Sequence, residues 1–169
     1  IEELAALRKT TKELLDRTRQ VIFDLKSPQE SGYNLLNNLT DYINNYQREG
    51  QVQVDLIIPD SIISLPPAKL KSIMYIITEA LTNVRKHSQA RKAELSLMTD
   101  HNGSLTIDIK DDGMGFDIDR VQAGLSNGRQ LGLISMRQRV ASLGGKFSIE
   151  SSPHQGTKIS VEVPISKGV

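Results

Sequence analysis

Residues Leu4, Leu7, Thr11, Leu14, Thr18, Val21 and Leu25 lie alternately three and four apart. That is the seam spacing of a coiled coil or helix bundle. Glu2, Glu3, Arg8, Lys9, Lys12, Glu13 and Arg17 fill the other faces. The seam is short and interrupted by threonines, so it predicts a helix that needs partner helices to be stable. Ser27-Pro28 ends it, because the residue before a proline is pushed out of helical geometry. A second helix is predicted over 28–49, with Tyr33, Leu36, Leu39, Ile43 and Tyr46 on one face and Gly50 as its cap.

The period then switches. Gln51 to Ile58 alternates as a strand and stops at Pro59-Asp60. Pro66-Pro67 opens a long helix through His87, striped by Leu70, Ile73, Ile77, Ala80, Leu81 and Val84. Stretches 93–97 and 105–109 alternate as a hairpin around His101-Asn102-Gly103. From Asp111 to Gln130 there is little period and much Gly, Asp and Asn, which predicts a long loop. A helix over 131–143 ends at Gly144-Gly145, and strands at 146–150 and 158–163 flank a Pro-His-Gln-Gly turn.

This order predicts an α+β fold, a two-layer sandwich whose mainly antiparallel sheet is covered by helices on one face. Residues 1–27 form a leading coiled-coil-like helix and 28–169 the main domain. Neither G-x-x-x-x-G-K-[ST] nor G-x-G-x-x-G occurs, which excludes a P-loop or Rossmann nucleotide site.

Composition narrows the function. With 38% hydrophobic and 24% charged residues the chain reads as globular. A net charge of +1 gives no bulk attraction to nucleic acid or membrane. The absence of Cys removes disulfide and thiol chemistry and suits a reducing cytoplasm. The absence of Trp argues against a base-stacking platform. A start at Ile1 in mid-pattern reads as a fragment.

Four stretches carry candidate chemistry. The long helix places Glu79, Asn83, Lys86 and His87 on one side. A solvated polar face explains Lys86 by itself. Asn83, a poor residue for a helix interior, calls for another reason. An amide oxygen is a hard ligand suited to Mg²⁺ beside anionic phosphates. Asp111-Asp112-Gly113-Met114-Gly115-Phe116 follows a strand; an Asp there can accept from an adenine amine, and glycines allow close backbone approach, whereas the plain alternative is an Asp-Gly turn. Gly128-Arg129-Gln130-Leu131-Gly132-Leu133 leads into a helix N-terminus, which suits phosphate. Gly156-Thr157 opens the last strand with a hydroxyl. His101 and His154 stand in turns without a partner at catalytic spacing.

In this order, E-A-L-T-N-V-R-K-H, D-D-G-M-G-F, G-R-Q-L-G-L and G-T resemble the Bergerat ATP-binding fold over about residues 51–165. That fold is shared by histidine kinases, DNA gyrase, mismatch-repair ATPases, heat-shock chaperones and anti-sigma-factor serine kinases. The resemblance implies that ATP binds with Asp111 at adenine, Gly113 and Gly115 shaping the pocket, and Asn83 on Mg²⁺. It implies that Lys86 and His87 lie near the phosphates and that 117–130 is the lid, with Gly128, Gly132, Leu133 and Thr157 completing the site. Glu79 would polarise the acceptor imidazole or hold a water beside the metal.

The continuation R-K-H-S and the stretch L-G-L-I-S-M-R-Q-R-V-A-S-L-G-G-K-F-S-I-E-S resemble the histidine-kinase branch that includes nitrate and membrane-fluidity sensors. R-Q-V-I-F-D-L (19–25) resembles the end of the second helix of that branch's dimerisation and phosphoacceptor domain. The implied partners are the parent's own dimerisation domain, as a homodimer, and a response regulator, with no nucleic acid. The implied place is a cytoplasmic domain of a protein anchored in the bacterial plasma membrane. Gln130 and Ser135 stand where the branch usually has Gly, and the phosphoacceptor His motif does not occur in the chain. An anti-sigma-type serine kinase and a pseudokinase binding module are the alternatives.

Overall fold

A computed structural model describes residues 35–50, 52–58, 65–101, 103–122 and 129–165. The heptad seam and the division at residue 27 lie outside the described residues. Helix α1 (Leu35–Glu49) buries Leu35, Leu39, Ile43 and Tyr46. Leu35 thus takes the core position expected of Leu36, since the buried stripe runs in steps of four, four and three.

Strand β1 (Gln53–Ile57) leads to helix α2 (Pro67–Asn83). Pro67 stands at the start of α2, where its missing N–H leaves nothing unsatisfied. The helix buries Leu70, Ile73, Met74, Ile76, Ile77, Thr78, Ala80 and Leu81, more than one stripe, because α1, the sheet and a later helix all pack on it. Its last turn widens into a π-helical turn (Val84–Ser88) and stops where Gln89 turns left-handed at φ 55°.

Strands β2 (Lys92–Thr99) and β3 (Ser104–Asp111) form the expected hairpin. A one-turn helix α3 (Ile118–Gln122) then appears inside the stretch expected to be loop, started by the Asp117 carboxylate, which accepts from the Arg120 N–H at 3.2 Å. Five residues are too few for a 3.6-residue period to show in sequence. Helix α4 (Arg129–Ser142) starts two residues earlier than its apolar pattern suggested. Strands β4 (Lys146–Ser151) and β5 (Thr157–Pro164) close the fold.

The sheet runs β1-β2-β3-β5-β4, parallel at β1–β2 and antiparallel elsewhere. Because side chains alternate across a strand, each register row belongs to one face. One core-facing row reads Leu97, Ile107, Val161 and Phe147, and the next Leu56, Leu95, Ile109, Ile159 and Ile149. The row after that reads Val54, Ala93, Asp111, Thr157 and Ser151. At that end the helix-covered face of the sheet turns from aliphatic to polar. The opposite face carries a charged row of Asp55, Glu94, Lys110, Lys158 and Glu150, with ion pairs Lys92–Asp55 at 2.6 Å and Lys158–Asp108 at 3.3 Å. Among the described residues, no helix is long and apolar enough to cross a membrane.

Candidate functional site

The polar end of the core-facing sheet opens into a cleft. Asn83 and His87 line it from α2 and its π-helical turn, Asp111, Gly115 and Phe116 from β3 and the loop after it. Leu133 of α4 and Thr157 of β5 face them, and Ile109, Ile149 and Ile159 supply apolar walls. The cleft therefore joins an apolar row of the sheet to polar groups from the next row and from the helix, which suits a ligand with an apolar ring and charged appendages.

Asp111 is only 5% exposed. Its Oδ1 accepts the Gly113 N–H at 2.8 Å. Burial holds the carboxyl above the usual carboxylate range, and hydrogen bonds from the backbone of Gly113 and Thr157 partly oppose this. A buried acid with an acceptor edge on a cleft is a common feature of functional sites.

Two glycines are required by space as well as by chemistry. A methyl group on Gly113 would run into the Ser88 carbonyl and lie 2.7 Å from Asp111 Oδ1. Gly115 has φ +56°, and a methyl group there would strike the Ser152 carbonyl. The D-x-G-x-G loop is thus packed backbone to backbone on its neighbours.

Of the helix residues, Asn83 and His87 line the cleft, whereas Lys86 is not among its lining and its side chain is exposed. The π-helical turn changes the angular spacing of these positions, so the common face expected from 3.6-residue periodicity is split. Glu79 lies one turn before Asn83. Burial raises its carboxyl pKa, and the positive charge of Lys86 partly offsets the rise. Gly132 leaves room for both: a methyl group there would collide with the Glu79 carboxylate and sit 3.5 Å from Asn83 Nδ2. Gly128 lies outside the described residues. Among the described residues, no group of three His, Cys, Asp or Glu side chains gathers as a ready metal site.

Three residues not singled out in the sequence hold the cleft together. Ser88 Oγ donates to the Val84 carbonyl at 2.7 Å and accepts from the Ala90 N–H at 2.9 Å. The Ser88 carbonyl accepts the Met114 N–H at 2.7 Å, which ties the helix wall to the D-x-G-x-G wall. Ser151 Oγ donates to the Gly156 carbonyl at 2.8 Å, accepts the Phe116 N–H at 2.9 Å and lies 3.0 Å from Thr157 Oγ1. Asp112 Oδ1 accepts the N–H groups of Arg91 and Lys92, each at 3.0 Å. These hydrogen bonds, first that from Lys92, hold its carboxyl below the usual range. The alternation of β4, continued one residue further, would have placed Ser151 on the core face; Ser88 had no comparable signal.

Residues 68–167 match the family described as histidine kinase-, DNA gyrase B-, and HSP90-like ATPase. The chain is 28% identical over 166 residues to the signal transduction histidine-protein kinase/phosphatase DegS of Brevibacillus brevis, which covers 98% of this chain and 42% of that protein. It is 30% identical over 153 residues to the sensor histidine kinase LiaS of Bacillus subtilis, covering 90% of this chain and 40% of that one. It therefore spans about two fifths of the length of these relatives. In fold it is similar to the histidine kinase domain of the Erythrobacter litoralis EL346 blue-light activated histidine kinase. The TM-score is 0.62 at 22% identity, over 77% of this chain and 59% of that one. The Bergerat-type sandwich with its mixed sheet is the fold of those domains. The chain belongs to the histidine kinase-, DNA gyrase B- and HSP90-like ATPase family, as a catalytic domain of the sensor histidine kinase kind.

Proposed function

We propose that the cleft binds ATP with Mg²⁺ and that, within a longer protein, the domain passes the γ-phosphoryl group to a histidine of a dimerisation helix. From there the group would go to an aspartate of a response regulator. The observation that carries this reading is the buried Asp111 in a cleft that joins apolar residues Ile109, Ile149 and Ile159 to Asn83 and His87.

Ile109, Ile149 and Ile159, side by side in one row of the sheet, form a floor for the adenine ring, and the ionised Asp111 accepts its exocyclic amine while Thr157 steadies the carboxylate from the next strand. Gly113 and Gly115 keep side chains away from the base. Asn83 presents a neutral amide beside Glu79, and that donor set fits Mg²⁺, which needs few protein ligands when phosphates and waters fill the rest. The ion supplies charge neutralisation on the phosphates, as is usual in phosphoryl transfer. His87 adds a hydrogen bond along the phosphate chain, and Lys86, whose charge is felt at Glu79, adds positive charge from outside the cleft lining. Glu79, kept basic by its burial, accepts a proton or a hydrogen bond from the acceptor imidazole. Leu133, with Gly132 beside it, closes the far wall.

The leading seam 1–27 supports a place beside a helical dimerisation region of the parent. Similarity to sensor histidine kinases favours this reading over a serine kinase of the anti-sigma type. A titration of the chain with a fluorescent ATP analogue, with and without Mg²⁺, tests the site. Binding that Asp111→Asn leaves unchanged would sink it. Mixing the chain with a helical domain bearing the acceptor histidine should then yield acid-labile phosphohistidine. Acid-stable phosphoserine would instead support the serine-kinase alternative.

A further inference from the structure

We infer that Tyr75 and Ser135 are positioning residues that clamp α4 onto α2 and so hold that wall of the nucleotide cleft in place. Neither residue lines the cleft. Tyr75, Glu79 and Asn83 follow one another at intervals of four on α2 and share a face. That face meets α4 at three successive levels. At the cleft, the backbone of Gly132 packs on Glu79 and Asn83. One turn away, the hydroxyls of Ser135 and Tyr75 lie 3.1 Å apart. One turn further, the Arg139 guanidinium lies 3.8 Å from the centre of the Tyr75 ring.

Arg139 Nε is buried and has no hydrogen-bond partner. An unmet buried donor is costly, so Arg139 is held chiefly by stacking on the ring. The Tyr75 ring is therefore fixed on its face by Arg139, and its hydroxyl is aimed at Ser135. Serine at 135 is one of the two departures from the resembled branch's glycines, and this hydrogen bond gives it a use. Leu133, between Gly132 and Ser135, is the α4 residue that lines the cleft. A helix pinned at Ser135 cannot move away from Glu79 as a body without breaking that bond. The clamp therefore acts on how long a bound nucleotide is retained more than on how fast it enters.

The inference rests on the nucleotide reading of the cleft, and its test separates the two. Stopped-flow exchange of a fluorescent ADP analogue on the full chain should show the dissociation rate rising about fivefold in Ser135→Ala and in Tyr75→Phe, the size expected for one neutral hydrogen bond. The association rate should stay near wild type, the double variant should be no worse than either single one, and Ser135→Thr should keep the wild-type rate. Unchanged dissociation overturns the clamp. So does a loss that is additive in the double variant, or that follows the melting temperature with Ser135→Thr no better than Ser135→Ala. If wild type binds no analogue, the nucleotide reading fails instead. Amide exchange over 132–139 then decides the clamp: faster exchange in both single variants supports it, and unchanged exchange refutes it.

Discussion

The Arg85 guanidinium lies 5.3 Å from the centre of the Tyr46 ring, and the hydroxyl of that ring donates to the Leu81 carbonyl at 2.9 Å. Tyr46 thus joins the end of α1 to the end of α2, within one turn of Asn83. Glu49, 3.8 Å from Arg85, extends the same contact. Tyr46→Phe keeps the ring and removes this bond, while the Leu81 carbonyl still accepts the Val84 N–H, so it should destabilise the chain by about 0.5–1.5 kcal/mol, the net worth of one neutral hydrogen bond. Chemical denaturation at constant m-value checks this; no change in midpoint would mean that the bond contributes nothing net.

Asp111 sets stability against binding. Its carboxyl pKa is raised by burial, so between the ordinary carboxylate pKa and the raised value the folded chain holds more protons than the unfolded one. Stability is therefore full below the ordinary value and falls as pH rises through the raised one. Nucleotide binding needs the ionised acceptor and should strengthen across the same interval. Asp111→Asn should flatten both profiles, raise the melting temperature at neutral pH and abolish analogue binding. A variant less stable than wild type at neutral pH would show that the carboxylate's hydrogen bonds outweigh its burial.

Gly115→Ala should be costly for a backbone reason. The residue sits at φ +56°, and the new methyl group meets the Ser152 carbonyl, which belongs to the turn between β4 and β5. A loss of more than about 1 kcal/mol is expected, the usual result when Ala is forced into φ above zero. Nucleotide affinity should drop with it. Thermal melting with and without the analogue would reveal both, and a melting temperature within error of wild type would refute the packing argument.

Asn83→Ala should remove the Mg²⁺-dependent part of analogue affinity and leave the Mg²⁺-independent part. Asp111→Asn should remove both. Equal behaviour of the two variants in isothermal titration would place Asn83 with the base and not with the phosphates.

Much of this was visible in the residues. Alternation marked the strands, and their parity put Asp111 on the same face as Ile109 and Ile107 before any register was known. The stripe Leu70, Ile73, Ile77 and Leu81 marked the central helix, and glycines in D-x-G-x-G marked a tight backbone. Helix α3 escaped because it is a single turn. Ser88 and Ser151 escaped because their partners, Met114 and Phe116, come from other elements, and no local pattern records a hydrogen bond across a cleft.

The sequence by itself determined the elements longer than one turn, most of the positions each buries and the residue types proposed to meet a nucleotide, because these follow from periodicity and local chemistry. Tertiary structure alone decided three things. It set the strand register that puts Asp111, Thr157 and Ser151 in one row. It widened the turn after Asn83, where His87 lines the cleft and Lys86 does not. It packed α4 on α2, bringing Gly132 to Glu79 and Ser135 to Tyr75. The first and the third are contacts between residues far apart in the chain, chosen by the packing of whole layers, and packing of that kind leaves no periodic trace in the sequence.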